Sequence, residues 1–173
     1  MNSQKTTSDT ISPRAALIRP MLTEDWTGVA EIYARGIIEG NSTFNRVCPP
    51  YEKWDAGHLP FCRFVYEIDG TVEGWITVCP TSGMDAYRGS VEVSLYVDKA
   101  FRGRSIGPAL MKHLISEAPK YGIWSLLSVI CSVNTHSIHM HEKCGFRTIG
   151  TRERIAKDRF DVWQDTTLME LRL

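Results

Sequence analysis

The stretch Glu92-Val93-Ser94-Leu95-Tyr96-Val97-Asp98-Lys99-Ala100-Phe101-Arg102-Gly103-Arg104-Ser105-Ile106-Gly107-Pro108-Ala109-Leu110 reads as a strand that breaks into a basic turn and opens a helix. Val91, Val93, Leu95 and Val97 alternate with Glu92, Ser94 and Tyr96, so one face of the strand points to a core while the other carries a carboxylate, a hydroxyl and a phenol. Past the turn, Ile106, Leu110, Leu114 and Ala118 recur at helical spacing, and Met111 and Ile115 widen the stripe. The turn itself is suited to phosphate. Gly103 and Gly107 let the backbone approach an anion, the first N–H groups of the helix carry partial positive charge, and Arg102 and Arg104 add full charges. The Lys-Ser or Lys-Thr pair of a P-loop is missing, and so is the glycine pattern that follows the first strand of a dinucleotide fold.

On either side of this unit the chain alternates strands and helices. Ala16–Pro20 predicts a short strand, and Thr23-Glu24-Asp25 supplies cap and first-turn residues for a helix carrying Trp26, Val29, Ala30, Ile32, Tyr33 and Ile37, which weakens at Gly36 and Gly40. Residues 41–60 lack periodicity apart from a short helix beginning at Tyr51, and an irregular segment of that length points to function. Two apolar runs, 61–68 and 72–79, flank Asp69-Gly70 and predict a hairpin. Trp124–Val133 reads as a strand buried on both faces, Thr135–Cys144 as a helix stopped by Gly145, and Phe146–Ile155 and Val162–Leu173 as closing strands. The order is that of an α/β domain over residues 15–173 with a mixed sheet and one parallel crossover through the 106–118 helix.

Composition narrows the class. The chain has 173 residues, long enough for one substantial core, and its 20 basic and 20 acidic residues cancel, so no global pull toward nucleic acid or a membrane surface is encoded. Cys48, Cys62, Cys79, Cys131 and Cys144 are odd in number and never paired as Cys-x-x-Cys, the pattern of reduced thiols in a cytoplasm. Residues 1–14 are polar and read as a loose tail and not a signal peptide, and no run has the length of a transmembrane span.

Arg102-x-x-Ser105-x-Gly107 resembles the coenzyme A loop of the GNAT N-acetyltransferase superfamily, with Ser105 in place of the middle glycine, an exchange expected to be tolerable with an ordinary helical φ. Asn134, Ser137, Met140, His141, Lys143, Gly145 and Phe146 resemble the element that follows that loop in the same superfamily, about 30 residues further on. Ala86-Tyr87-Arg88-Gly89-Ser90-Val91-Glu92-Val93-Ser94-Leu95-Tyr96-Val97 narrows the resemblance to the phosphinothricin and methionine sulfoximine acetyltransferases, as do Asn41–Phe44, Pro49-Pro50, Trp54 and Trp163-x-Asp165. The resemblance runs from about Ile18 to Leu171. It implies the GNAT fold, a central, mixed, mostly antiparallel sheet flanked by helices and splayed at the coenzyme-binding strands. It also implies a cytoplasmic homodimer that transfers acetyl from acetyl-CoA to the α-amino group of a small amino acid or toxic analogue.

That chemistry needs a base, because an ammonium has no lone pair to attack a thioester. Glu92 is the candidate, acting directly or through a water; as a solvated strand carboxylate it would have no such role. The resemblance implies that the backbone of Leu95, Tyr96 and Val97 pairs with pantetheine, that Arg102, Gly103, Arg104, Ser105, Ile106, Gly107 and Pro108 receive the pyrophosphate, that Asn134 orients acetyl-CoA and that Lys143 reaches a phosphate. His141 stands where many relatives place a tyrosine general acid, and its reading stays open between proton donor to the thiolate and coenzyme contact. Relatives of the phosphinothricin type carry an arginine just before the Ala-Tyr element, where this chain has Met84 and Asp85. Phe44, Tyr87 and Trp163 are then expected to wall a more apolar substrate pocket, with Arg88 or Arg46 as the cations able to replace the arginine. No metal is expected: on a helical wheel His136 and His139 share one face, His141 and Cys144 another. Two other readings stay open, a non-catalytic acetyl-CoA-binding module and an acetyltransferase of peptide or protein N-termini.

Overall fold

The computed structural model describes residues 15–173, so the N-terminal tail read over residues 1–14 lies outside the described residues. Seven strands, β1 (Ala16–Pro20), β2 (Phe64–Ile68), β3 (Thr71–Pro80), β4 (Ser90–Val97), β5 (Ser125–Cys131), β6 (Arg147–Lys157) and β7 (Trp163–Arg172), form one sheet in the order β1-β2-β3-β4-β5-β7-β6. The helices are α1 (Trp26–Glu39), α2 (Tyr51–Ala56), α3 (Ile106–Glu117) and α4 (Thr135–Lys143). All described strand pairs are antiparallel except β4 with β5, which α3 connects as a crossover. This is the mixed, mostly antiparallel α/β sheet of the GNAT fold.

Two cores hold the layers. On one face α3 lays Ile106, Leu110, Met111 and Leu114 against Ile76, Val78, Val91, Val93, Leu126 and Met169. On the other, Val29, Ile32, Tyr33 and Ile37 of α1 and Trp54 of α2 close over Val65 and Trp75. The alternation read in β4 is therefore buried on both sides: Val91 and Val93 enter the first core, while Tyr96 packs its ring 4.8 Å from Trp75 and 5.0 Å from Tyr33. The Asp69-Gly70 hairpin forms with both residues in the left-handed region, as a tight two-residue turn requires. The apolar run 61–68 is strand only from Phe64, because Cys62 has φ 56° and Arg63 folds back to donate to Leu59 O and His58 O and to pair with Asp55.

The parallel pairing is short. Ser90, Val91 and Glu92 face Ser125, Leu126 and Leu127, after which β4 stays with β3 as far as Val97 and β5 stays with β7 as far as Cys131. The two strands part like a V whose closed end is Gly89, where the carbonyl accepts from Trp124 N (2.8 Å) and Ser125 N (3.2 Å). At the open end the chain turns through Asp98, whose carboxylate accepts from Ala100 N at 2.8 Å and pairs with Arg35. Gly103 (φ 77°) and Ser105 (φ 61°) are both left-handed in the turn into α3. The expectation of an ordinary helical φ at Ser105 is corrected here. The backbone keeps the conformation that a glycine would favour, and the serine carries the steric cost of its Cβ.

Two outcomes follow for stability. A methyl group at Gly89 would overlap the Trp124 ring and the Gly122 carbonyl, so Gly89→Ala should lower unfolding stability by about 1–3 kcal/mol in urea denaturation. Ser105→Gly should raise it by about 0.5–1 kcal/mol in the same assay, relief from the left-handed strain exceeding the added chain entropy.

Candidate active site

The parting of β4 and β5 opens a cavity of about 320 Å³. Its floor is the divergent stretch itself, from Glu92 to Tyr96 on β4 and from Ser128 to Cys131 on β5. Asn134, Ser137 and His141 close one end, and Tyr33, residues 42–45 and His58 close the other. From Val93 onward the β5-facing edge of β4 has no strand partner, so its backbone donors and acceptors stay available to an extended ligand.

Glu92 sits where the pairing ends, on the face shared with its β3 partner Cys79. No cation pairs with it among the described residues, and burial raises its pKa above that of an ordinary glutamate. A carboxylate held this way is a stronger proton acceptor than one in water.

His141 is buried, 4% exposed, with its ring edge-on to Phe146. Its Nδ1 lies 2.8 Å from Ser137 O, and since a carbonyl can only accept, Nδ1 carries the hydrogen. Burial lowers the imidazole pKa, so at neutral pH Nε2 holds a lone pair and acts as an acceptor. Of the two open readings, this geometry favours the coenzyme contact over a proton donor. Asn134 caps α4, its Oδ1 accepting from Ser137 N at 3.2 Å, and the residue lines the cavity.

Arg102, Gly103, Arg104 and Ser105 lie on the surface at the start of α3, and Ile106 and Gly107 are buried in its first turn. Pro108 has no N–H, so the free donors of that turn are on the residues before it. The Arg102 guanidinium donates to Glu39 at 2.8 Å, and Arg104 lies 4.9 Å over the Phe101 ring, so the first charge is partly neutralised by the chain and the second is held by an aromatic face. Lys143 is exposed near the C-terminal end of α4. An unpaired strand edge leading to a glycine-containing helix N-terminus fits an extended ligand ending in phosphates, as coenzyme A does.

The substrate side differs from the expectation. Of Phe44, Met84, Asp85, Tyr87, Arg88 and Trp163, Phe44 alone lines the cavity. Met84, Asp85, Tyr87 and Arg88 lie in an exposed turn before β4, where Arg88 donates to Asp85 and covers the Trp124 ring at 5.6 Å. Trp163 opens β7 half in solvent, between Arg154 and Lys157. Arg46 faces Asp161 at 3.8 Å. The wall is built instead by Ser42 and Thr43 of the Asn41–Phe44 match and by Tyr33, Asn45 and His58, which no motif announced. Asn45 Nδ2 donates to Tyr33 Oη at 2.5 Å and Tyr96 Oη donates to Ser42 O at 3.0 Å, so two buried phenols hold the 42–45 loop in place. Among the described residues no Lys or Arg lines the cavity. Among the described residues no cluster of three or more His, Cys, Asp or Glu gathers as for a metal; His136 and His139 are exposed while His141 is buried. The five cysteines are free, and no described helix is long and apolar enough to cross a membrane. Another cavity, about 430 Å³ between Met21, Phe61 and Tyr121, shares no lining residue with the first.

Comparison with known proteins agrees with this geometry. The L-methionine sulfoximine/L-methionine sulfone acetyltransferase of Salmonella typhimurium is 33% identical over 154 residues, covering 86% of this chain and 90% of its own. The phosphinothricin N-acetyltransferase of Alcaligenes faecalis is 30% identical over 166 residues, covering 90% of this chain and 82% of its own. A Salmonella typhimurium acetyltransferase solved with its cofactor acetyl-CoA superposes with a TM-score of 0.83 at 27% identity, over 92% of this chain and 94% of that one. Residues 22–146 match the model of the acetyltransferase (GNAT) family. The chain belongs to that family of acetyltransferases, and acetyl-CoA is its cosubstrate.

Proposed function

We propose that the protein acetylates the α-amino group of a small amino acid, or a toxic analogue of one, whose side chain carries no charge, with Glu92 as the base. The observation that carries this reading is the position of Glu92: a half-buried carboxylate without a counter-cation, opening into the cavity at the point where the strand edge becomes free. Acetyl-CoA supplies an activated acyl group. Glu92 takes a proton from the ammonium, directly or through a water, and leaves the lone pair on nitrogen. The free backbone of Leu95 to Val97 supports the pantetheine arm, Asn134 and His141 Nε2 bound the thioester end, and the loop from Arg102 to Pro108, with Lys143 nearby, meets the phosphates.

Substrate choice follows from the lining. Phe44 supplies an apolar wall, Thr43, Asn45 and Ser94 supply neutral hydrogen-bonding groups, and among the described residues no guanidinium or ammonium lines the cavity to receive a second anionic group. The Salmonella relative named for methionine sulfoximine and methionine sulfone supports the same preference. A cytoplasmic homodimer belongs to this reading. Its support is a face where Phe160 packs over Gly40, Arg46 meets Asp161, and Ile38, Val47, Val162 and Trp163 are exposed.

Two measurements test the proposal. Glu92→Gln should lower turnover about 10²-fold near neutral pH and less at high pH, where free amine is plentiful. Because the Glu92 pKa is raised and the base must be ionised, the acid limb of the wild-type kcat/KM profile should lie above the pH of an ordinary glutamate and should vanish in Glu92→Gln. Methionine sulfoximine should exceed phosphinothricin in kcat/KM by about 5- to 150-fold, the effect of one missing ion pair of about 1–3 kcal/mol. A preference for phosphinothricin would mean that a cation from outside this cavity reaches the substrate.

A further inference from the structure

His58 lies in the turn after α2, half-buried, with its ring 4.4 Å from the Trp54 ring. Leu59 N donates to Val78 O at 2.9 Å and fixes this turn to β3, beside Cys79, the register partner of Glu92. His58 lines the cavity while its neighbours Gly57 and Leu59 do not, so the side chain is what reaches it. Its Nδ1 lies 2.6 Å from Trp54 O, and the carbonyl can only accept, so Nδ1 carries the hydrogen and Nε2 holds the lone pair. Nε2 has no hydrogen-bond partner among the described residues. Around the ring stand Arg63 and Asp55, paired with each other, and across the cavity Glu92 and Tyr33. Burial, helped by Arg63 and opposed by Asp55, lowers the imidazole pKa, so the ring is neutral and able to accept at neutral pH.

The reaction needs such a group. An ammonium substrate has one proton more than the free amine, and acetylation of the free amine is proton-neutral, since the hydrogen lost by nitrogen ends on the thiol of CoA. The extra proton therefore has to leave the site in every turnover. Glu92, half-buried and held by no other group, can take it but has to be emptied before the next cycle.

We propose that His58 is the proton exit of the acceptor site: Nε2 receives the ammonium proton from the Glu92 carboxyl through water in the cavity and releases it to solvent. The O–H bond on Glu92 breaks, an N–H bond forms on Nε2, and the imidazolium then loses the proton to bulk water, so no other reactant is consumed. The inference rests on the reading of this cavity as the acceptor site.

The test is His58→Gln, assayed with two amines: methionine sulfoximine, an ammonium at neutral pH, and a weakly basic amine that carries no proton there. Acetyl-CoA-dependent thermal stabilisation reports that the variant is folded, and His58→Phe keeps a ring against Trp54 if the glutamine variant is not. The expected result is a loss of about tenfold or more in kcat with methionine sulfoximine at neutral pH, easing as pH rises, with the neutral amine changed less than about threefold. Equal losses for both amines, or none for either, with wild-type activity intact, would overturn the relay and leave the acceptor site standing. A wild-type protein that binds acetyl-CoA but acetylates neither amine would overturn both.

Discussion

Every functional group described here depends on β4 and β5 having different partners beyond Glu92. Along its remaining length β4 is held by β3, and β5 by β7, and both of those pairings are antiparallel and complete. Past Glu92 each strand keeps its outer neighbour and gives up the inner one, so the two separate. The separation costs the chain backbone hydrogen bonds that it would otherwise make, and in the proposed function those unmet groups are the recognition surface for an extended cosubstrate. The short closed end at Gly89 and Trp124 matters for the same reason, because it sets where the parting starts and therefore that Glu92 stands at its apex.

The acceptor end is organised differently. Its walls belong to a segment without regular structure, residues 42–45, which two phenols from the second core hold in place. Tyr33 and Tyr96 are packed against Trp75 and against each other, so their rings are held by burial while their hydroxyls point to the loop. One end of the cavity is thus made from backbone and the other from side chains hung on aromatic posts.

Much of the architecture can be read from the chain, because the features involved are periodic or local. The alternation in 91–97, the 3.6-residue stripe from Ile106 and the Asp69-Gly70 turn each reflect one rule acting over neighbouring residues. What resisted reading depends on residues distant in sequence. Met84, Asp85, Tyr87 and Arg88 lie just before β4 in sequence, yet their turn projects into solvent, and Trp163 belongs to the outer end of β7. His58 and Asn45 are isolated residues whose only advance sign was the irregularity of residues 41–60, and Tyr33 was legible only as one residue of the apolar stripe of α1. Ser105 shows a third limit. The chain makes a left-handed turn into α3 although its sequence lacks the glycine that favours it, between Gly103, also left-handed, and the packed helix that follows.

The division of the cavity between backbone and side chains also bears on how such an enzyme can change over generations. In the proposed function, recognition of the cosubstrate through an open strand edge is insensitive to which side chains decorate that edge, so substitutions there are weakly visible to selection for binding. The 42–45 loop has the opposite character: each residue exchanged alters the shape or polarity of the acceptor wall, while the sheet that carries the chemistry stays intact. A lineage built this way can drift from one amine to another by small steps without passing through a form that has lost its acyl donor.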